Sequence, residues 1–307
     1  MDFSVVIPTF NSSLFVAQAL DSVRLATNSD QFEIIVVDDC SADVAKLASA
    51  LRDYPEARLV SKAKRSNAAD SRNIGFEQSL ASHVFFLDSD DEFLRGSIDR
   101  RIELHDHSSA GLIFGNYVIN QGGRITQTFL PAYSGGDVRD YLFSSVGDFR
   151  SSTLSISKVD FRGANFDAHS FKHQDWIFGI RCGDAGEKLK FDQEPVAIIN
   201  VGGEARMSNR ANVDASRYFC NNYLNRQSHI NAFSRKHWVI TLLNGDSCGA
   251  GFYYQIYKAE SVREWIDCAA YKVFGSSSLI WLARPLTTGV LLLKRLFRAM
   301  RYRTQPG

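Results

Sequence analysis

Short apolar runs that stop at a proline or a carboxylate, alternating with helical patterns, constrain this chain more than any other feature. Residues 3–7 read FSVVI and stop at Pro8; residues 32–37 read FEIIVV and stop at Asp38-Asp39; residues 83–87 read HVFFL and stop at Asp88-Ser89-Asp90-Asp91. Between them, helices are predicted over 14–25, 44–51 and 68–80, with a short strand at 58–60. Strands that are apolar almost throughout are covered on both faces, as parallel strands under helices are. The expected class is therefore α/β, with a doubly wound, mostly parallel central sheet.

From Leu112 the rhythm changes. Residues 112–119 and 124–130, joined by Gln121-Gly122-Gly123, read as a small antiparallel hairpin. A strand at 153–157, a helix over 174–185 and a strand at 196–201 follow. Beyond Asn212 the pattern is helical and rich in aromatics. The expected division is a domain over 1–211, with halves 1–110 and 111–211, and a helical C-terminal region over 212–307.

Several classes are excluded. In 307 residues, 35 Lys and Arg against 34 Asp and Glu leave a net charge of +1, so general nucleic-acid binding is not expected. Cys40, Cys182, Cys220, Cys248 and Cys268 form no CxxC pair, which argues against a disulfide framework or a structural zinc site. There is no GxGxxG after the first strand and no GxxxxGK[ST]. No secretory signal is read at the N-terminus and no apolar run is long enough to span a membrane, so a cytoplasmic location is expected.

The neutral total hides an uneven distribution. From Cys268 onward there are seven Lys and Arg and no Asp or Glu, so residues 1–267 carry a net −6. Residues 279–303 mix Leu, Trp, Phe and Met with arginines, the composition of an interfacial helix. Contact with an anionic membrane surface is expected there, at about 1 kcal/mol per basic residue. The alternative is a helix packed on the protein with a solvated basic face.

The acidic clusters carry the chemistry. Ligands of open parallel sheets bind beyond the carboxyl ends of the strands. Several carboxylates there repel one another unless a cation compensates, and alternating Asp residues suit a hard divalent ion shared with phosphates. The plainer alternative is that each Asp is a turn former or helix cap. A sugar nucleotidyltransferase is a weaker alternative, because Pro-Thr-Phe-Asn stands where its Gly-rich basic loop would be.

The segments SVVIPTFN, EIIVVDDCSAD, SRNIGF and FFLDSDD, in that order, resemble the family 2 glycosyltransferases, which are inverting enzymes of the GT-A fold. TLSISK, Phe166-Asp167, HQDWIFGIRCGDAG and EARMSN continue the resemblance to about residue 210. It implies that Pro8, Thr9 and Phe10 line the nucleotide base, that Asp39 accepts from the uracil N–H, and that Arg72 lies on the base or phosphate side. Asp88 and Ser89 would face the donor, with Asp90, aided by Asp88, holding Mn²⁺ or Mg²⁺. Asp175 would be the general base, an anion favoured by its helix start, and Arg206 and Ser208 a late phosphate-contacting pair. His173, Gln174 and Trp176 would lie on the acceptor side.

Two departures from the family pattern stand out. Its Glu-Asp pair is Gln174-Asp175 here, which removes one charge on the acceptor side. Its Gly before the SRN helix is Asn67, expected to take the left-handed conformation. The implied reaction moves a sugar from a nucleotide-sugar, a UDP-sugar by expectation, to a glycan or lipid-linked acceptor of bacterial surface polysaccharide synthesis. The remaining alternative is an inactive nucleotide-sugar-binding subunit.

Overall fold

Pro8 does not end the first strand: β1 (Phe3–Thr9) runs through it, buried at every residue. The computed structural model describes residues 1–202, 212–244 and 246–258. After β1 come α1 (Val16–Leu25), β2 (Phe32–Asp38), α2 (Val44–Ala50), β3 (Ala57–Ser61), α3 (Ala68–Gln78), β4 (His83–Phe86), β5 (Glu92–Phe93) and α4 (Ser97–Ser108). Then follow β6 (Leu112–Gly115), β7 (Val118–Gln121), β8 (Arg124–Gln127), α5 (Val138–Phe143), β9 (Ser155–Ser157), α6 (Gln174–Asp184), β10 (Leu189–Asp192) and β11 (Ala197–Asn200).

The main sheet has seven strands in the order β10-β6-β9-β4-β1-β2-β3. Only β9 runs antiparallel to its neighbours; the other pairs are parallel. The tolerance of Pro8 follows from this order. Val6 O accepts from Leu87 N and Thr9 O accepts from Asp39 N, so even-numbered residues of β1 face β4 and odd-numbered ones face β2. The β4 ladder ends at Val6↔Phe86, and the missing N–H of Pro8 therefore removes no bond from it.

Both faces of β1 are covered. Phe3, Val5 and Ile7 pack with Val16, Leu20 and Val23 of α1, all fully buried. Each such side chain contributes about 1.5–3 kcal/mol. On the other face α3 lies very close: a Cβ at Gly75 would stand 2.3 Å from Val6 Cγ1. Only glycine permits that approach.

The expected hairpin over 112–130 is corrected. Residues 112–119 belong to two sheets: β6 joins the main one, while β7 and β8 form the hairpin in a second sheet of order β5-β11-β7-β8. The chain crosses over at Gly115, where a Cβ would lie 2.1 Å from Asp192 O. Helices α4 and α5 and strands β5 and β10 were not legible in the sequence, being short or broken by charges.

The chain divides into two units, Met1–Gly203 and Glu204–Gly307. The described part of the second is helical: α7 (Val213–Tyr223), α8 (Gln227–Asn244) and α9 (Ser247–Ile256). Asn212 caps α7 through Ala215 N, and Asp246 caps α9 through Gly249 N. Among the described residues no helix is long and apolar enough to cross a membrane. The basic segment 279–303 lies outside the described residues.

Candidate active site

The order of the main sheet brings the ends of β1, β2 and β4 side by side, so Thr9, Asp38-Asp39 and the Asp88–Asp91 loop share one edge. Pro8 and Thr9 are buried, and Thr9 Oγ1 donates to Val37 O at 3.2 Å. Phe10 is exposed, with the Arg65 guanidinium 4.0 Å from its ring centroid. Asn11 and Cys40 are left-handed, with φ of 51° and 60°, which turns the chain sharply after both strands. Buried Asp39 accepts at Oδ1 from Ser66 N and pairs there with Lys62 Nζ, each at 2.8 Å. Lys62 also reaches Asp70 at 2.7 Å. Burial alone would lower the Lys62 ammonium, but the two carboxylates outweigh it and its pKa is raised.

The acidic loop is held from three directions. Asp88 Oδ1 accepts from Arg72 Nη2 at 2.5 Å. Ser152 Oγ accepts from Asp88 N at 3.1 Å and donates to Asp91 Oδ2 at 2.6 Å. Asn200, at the end of β11, donates its N–H to Asp91 Oδ1 at 3.0 Å and its Nδ2 to Asp90 O at 2.8 Å. Burial, then the charges of Asp88 and Asp90, hold the Asp91 carboxyl well above the usual range. This crowding of hard oxygen donors fits a divalent cation. Among the described residues no three His, Cys, Asp or Glu side chains could hold a metal by themselves. An ion at Asp88 and Asp90 would therefore draw much of its coordination from phosphate oxygens and water.

The start of α6 faces this loop through Arg72. The buried Arg72 guanidinium lies 5.4 Å from the Phe166 ring centroid, and its Nη1 donates to Gln174 Oε1 at 3.2 Å. The other end of the Gln174 amide donates to Ser170 O at 2.7 Å. Asp175 Oδ1 accepts a short hydrogen bond from Ser151 Oγ. Burial raises the Asp175 carboxyl above its ordinary value, against the pull of Arg72, Ser151 and Arg150; the Asp88 charge adds to the rise. A helix start alone would lower it, so the protein environment outweighs the expected trend.

His173 is left-handed at φ 63° and stacks on Trp176 with centroids 5.6 Å apart. Trp176 Nε1 donates to buried Asp148 Oδ1 at 2.7 Å. Asp148 Oδ2 accepts from Tyr117 OH at 2.9 Å and Arg150 Nε at 2.8 Å. That bond fixes the edge of the indole.

Several sequence expectations are relocated. Arg72 is buried between the acidic loop and α6, bonded to both. The Gln174 side chain is spent on Arg72 and a backbone carbonyl, which leaves little of it for an acceptor. Asn67 is extended rather than left-handed, and caps α3 by accepting from Asp70 N at 3.1 Å. Arg206 and Ser208 lie outside the described residues. Lys62, Asp91, Asp148, Arg150, Ser151, Ser152 and Asn200 were not anticipated. The mostly polar run from Asp148 to Thr153 ahead of a strand was the one local sign of four of these residues.

The chain is similar to known proteins. Residues 4–155 match the sequence family described as Glycosyl transferase family 2. The amylovoran biosynthesis glycosyltransferase AmsB of Erwinia amylovora is 28% identical over 212 residues, 66% of this chain and 70% of that protein. The poly(ribitol-phosphate) beta-N-acetylglucosaminyltransferase TarP of Staphylococcus aureus is 26% identical over 225 residues, 69% of this chain and 66% of that one. The crystal structure of S. aureus TarS in complex with UDP-GlcNAc superposes with a TM-score of 0.61 at 17% identity, covering 94% of this chain and 86% of that one. At that identity the likeness concerns the fold, which is GT-A. With a match that begins in β1 and ends in β9, residues 4–155 form a domain of the family 2 glycosyltransferases.

Proposed function

We propose that the protein is an inverting glycosyltransferase that moves a sugar from a UDP-sugar to a hydroxyl of a glycan or lipid-linked acceptor in bacterial surface polysaccharide synthesis. The observation that carries this reading is the bridge through Arg72, which joins the acidic loop at the end of β4 to the helix that bears Asp175. A donor site and a base on opposite sides of one anomeric carbon is what a single displacement requires. Relatives named for amylovoran and poly(ribitol-phosphate) support the substrate class.

In this mechanism Pro8, Thr9 and Phe10 flank the base, and the second oxygen of Asp39 accepts from the uracil N–H. Arg72 Nε is buried without an acceptor among the described residues, and a donor oxygen would satisfy it. The acceptor oxygen attacks the anomeric carbon as the carbon–oxygen bond to the diphosphate breaks. The diphosphate leaves with the electron pair, and Asp175 takes the hydroxyl proton. A divalent cation at Asp90 and Asp88 would supply positive charge for the departing diphosphate. The basic segment 279–303 would bring the protein to the inner face of an anionic membrane.

The test is a panel of nucleotide-sugars with Mn²⁺ or Mg²⁺, with product configuration read by NMR. Turnover of a UDP-sugar with inversion, lost in Asp90→Asn and in Asp175→Asn, is expected. Retention of configuration, or formation or use of a nucleoside triphosphate, would overturn the reading. Binding of full-length protein to anionic vesicles at low salt tests the membrane contact; no binding would remove it.

A further inference from the structure

Ser151 and Ser152 are adjacent, equally buried at 1% exposure, and bonded to different halves of the site. Ser151 Oγ donates to Asp175 Oδ1. Ser152 Oγ accepts from Asp88 N at 3.1 Å and donates to Asp91 Oδ2 at 2.6 Å. The two residues sit in a single tight turn, Ser151–Thr153, closed by Thr153 N to Arg150 O at 2.9 Å and Leu154 N to Ser151 O at 2.9 Å. That turn leads into β9, the strand wedged antiparallel between β4 and β6.

We infer that this serine pair is a positioning element that sets the base Asp175 in register with the donor-binding loop. The inference rests on the proposed transferase reading. Neither hydroxyl is needed to satisfy the turn, whose backbone closes it. Ser151 engages one oxygen of Asp175, which leaves the other for the acceptor hydroxyl. Ser152 engages both ends of the Asp88–Asp91 loop and so fixes its curvature. A side chain on either side of one peptide bond cannot move far from its neighbour, so the spacing between base and loop is held by the backbone of the Ser151–Thr153 turn.

The two serines should therefore fail differently. With the UDP-sugar found to turn over, Ser151→Ala is expected to lower kcat about tenfold or more while the donor KM stays within about twofold. Ser152→Ala is expected to raise the donor KM by about tenfold with a smaller effect on kcat. UDP binding by calorimetry should be unchanged in the first variant and weakened in the second. If both variants change kcat, KM and melting temperature alike, the serines are structural and the inference is overturned. It is overturned too if Ser151→Ala retains wild-type kcat. A wild-type protein that binds UDP but turns over no UDP-sugar would instead sink the transferase reading, and this inference with it.

Discussion

Arg72 Nη1 donates to Gln174 Oε1 at 3.2 Å across 102 residues of sequence, while Nη2 of the same guanidinium holds Asp88. One buried cation thus carries the acidic loop on one side and the start of α6 on the other. Its partner Asp88 is about a third exposed, at 35%, so solvent screens part of the pair. Replacing Arg72 by Met should cost about 2 kcal/mol in urea denaturation, below the range for fully buried pairs. Arg72→Lys should recover part of that stability without recovering turnover, because a compact ammonium lacks the planar fork that reaches Asp88 and Gln174 from separate nitrogens.

Gln174→Glu recreates the Glu-Asp pair that the family commonly shows, yet it should destabilise this protein. The Gln174 amide donates to Ser170 O at 2.7 Å, and a carboxylate oxygen there would face a carbonyl it cannot bond. The added charge also lies beside Asp175. A loss of about 1–2 kcal/mol, partly offset by a stronger bond to Arg72, is expected from thermal melts. A raised melting temperature would contradict this.

The pH dependence follows from Asp175. Burial is the largest effect on its carboxyl and raises it, with Asp88 adding and Arg72, Ser151 and Arg150 opposing. In the proposed mechanism Asp175 must be ionised to act as the base, so activity is expected to be lost as pH falls through the raised value. The acid limb of kcat/KM should therefore lie above the ordinary aspartate value of about 3.9. The stability sign is opposite to that of a salt-bridged carboxylate. The folded state binds the proton more tightly than the unfolded state does, so the contribution of Asp175 to stability falls as pH rises between the two pKa values. Asp175→Asn should flatten this part of the stability profile while abolishing turnover.

Asp148 gathers the donors of Trp176, Tyr117 and Arg150 at one buried carboxylate. Its charge is the main reason the Arg150 pKa is raised, whereas burial is the main reason that of Tyr117 is. Asp148→Ala should cost about 3 kcal/mol or more, since it strips several donors at once. Trp176 fluorescence should shift as its indole loses the fixed partner, and Asp148→Asn should recover part of the loss.

Strands β1 to β4, their order of appearance and the acidic residues that follow β2 and β4 were legible because strand and turn chemistry is local. A period of apolar residues, a proline or an Asp after a strand acts within a few positions. The same locality explains the errors. Residues 112–119 look like one strand, and only contact between Gly115 and Asp192, far along the chain, divides them. The left-handed conformation expected of Asn67 rests on the glycine that the family has there, whereas its role is set by Asp70 and by Ala168, whose carbonyl accepts from its amide at 2.6 Å.

By itself the sequence determined the α/β class, the family and the candidate acids at Asp39, Asp88, Asp90 and Asp175. Tertiary structure decided what those acids meet. Arg72 pairs with Asp88, Lys62 with Asp39 and Ser151 with Asp175, and none of these partnerships has a local signature. They depend on which strands are neighbours and on how closely α3 and α6 dock. The direction of the Asp175 shift has the same origin: a helix start is a local feature, but desolvation sums over every atom packed around the carboxylate.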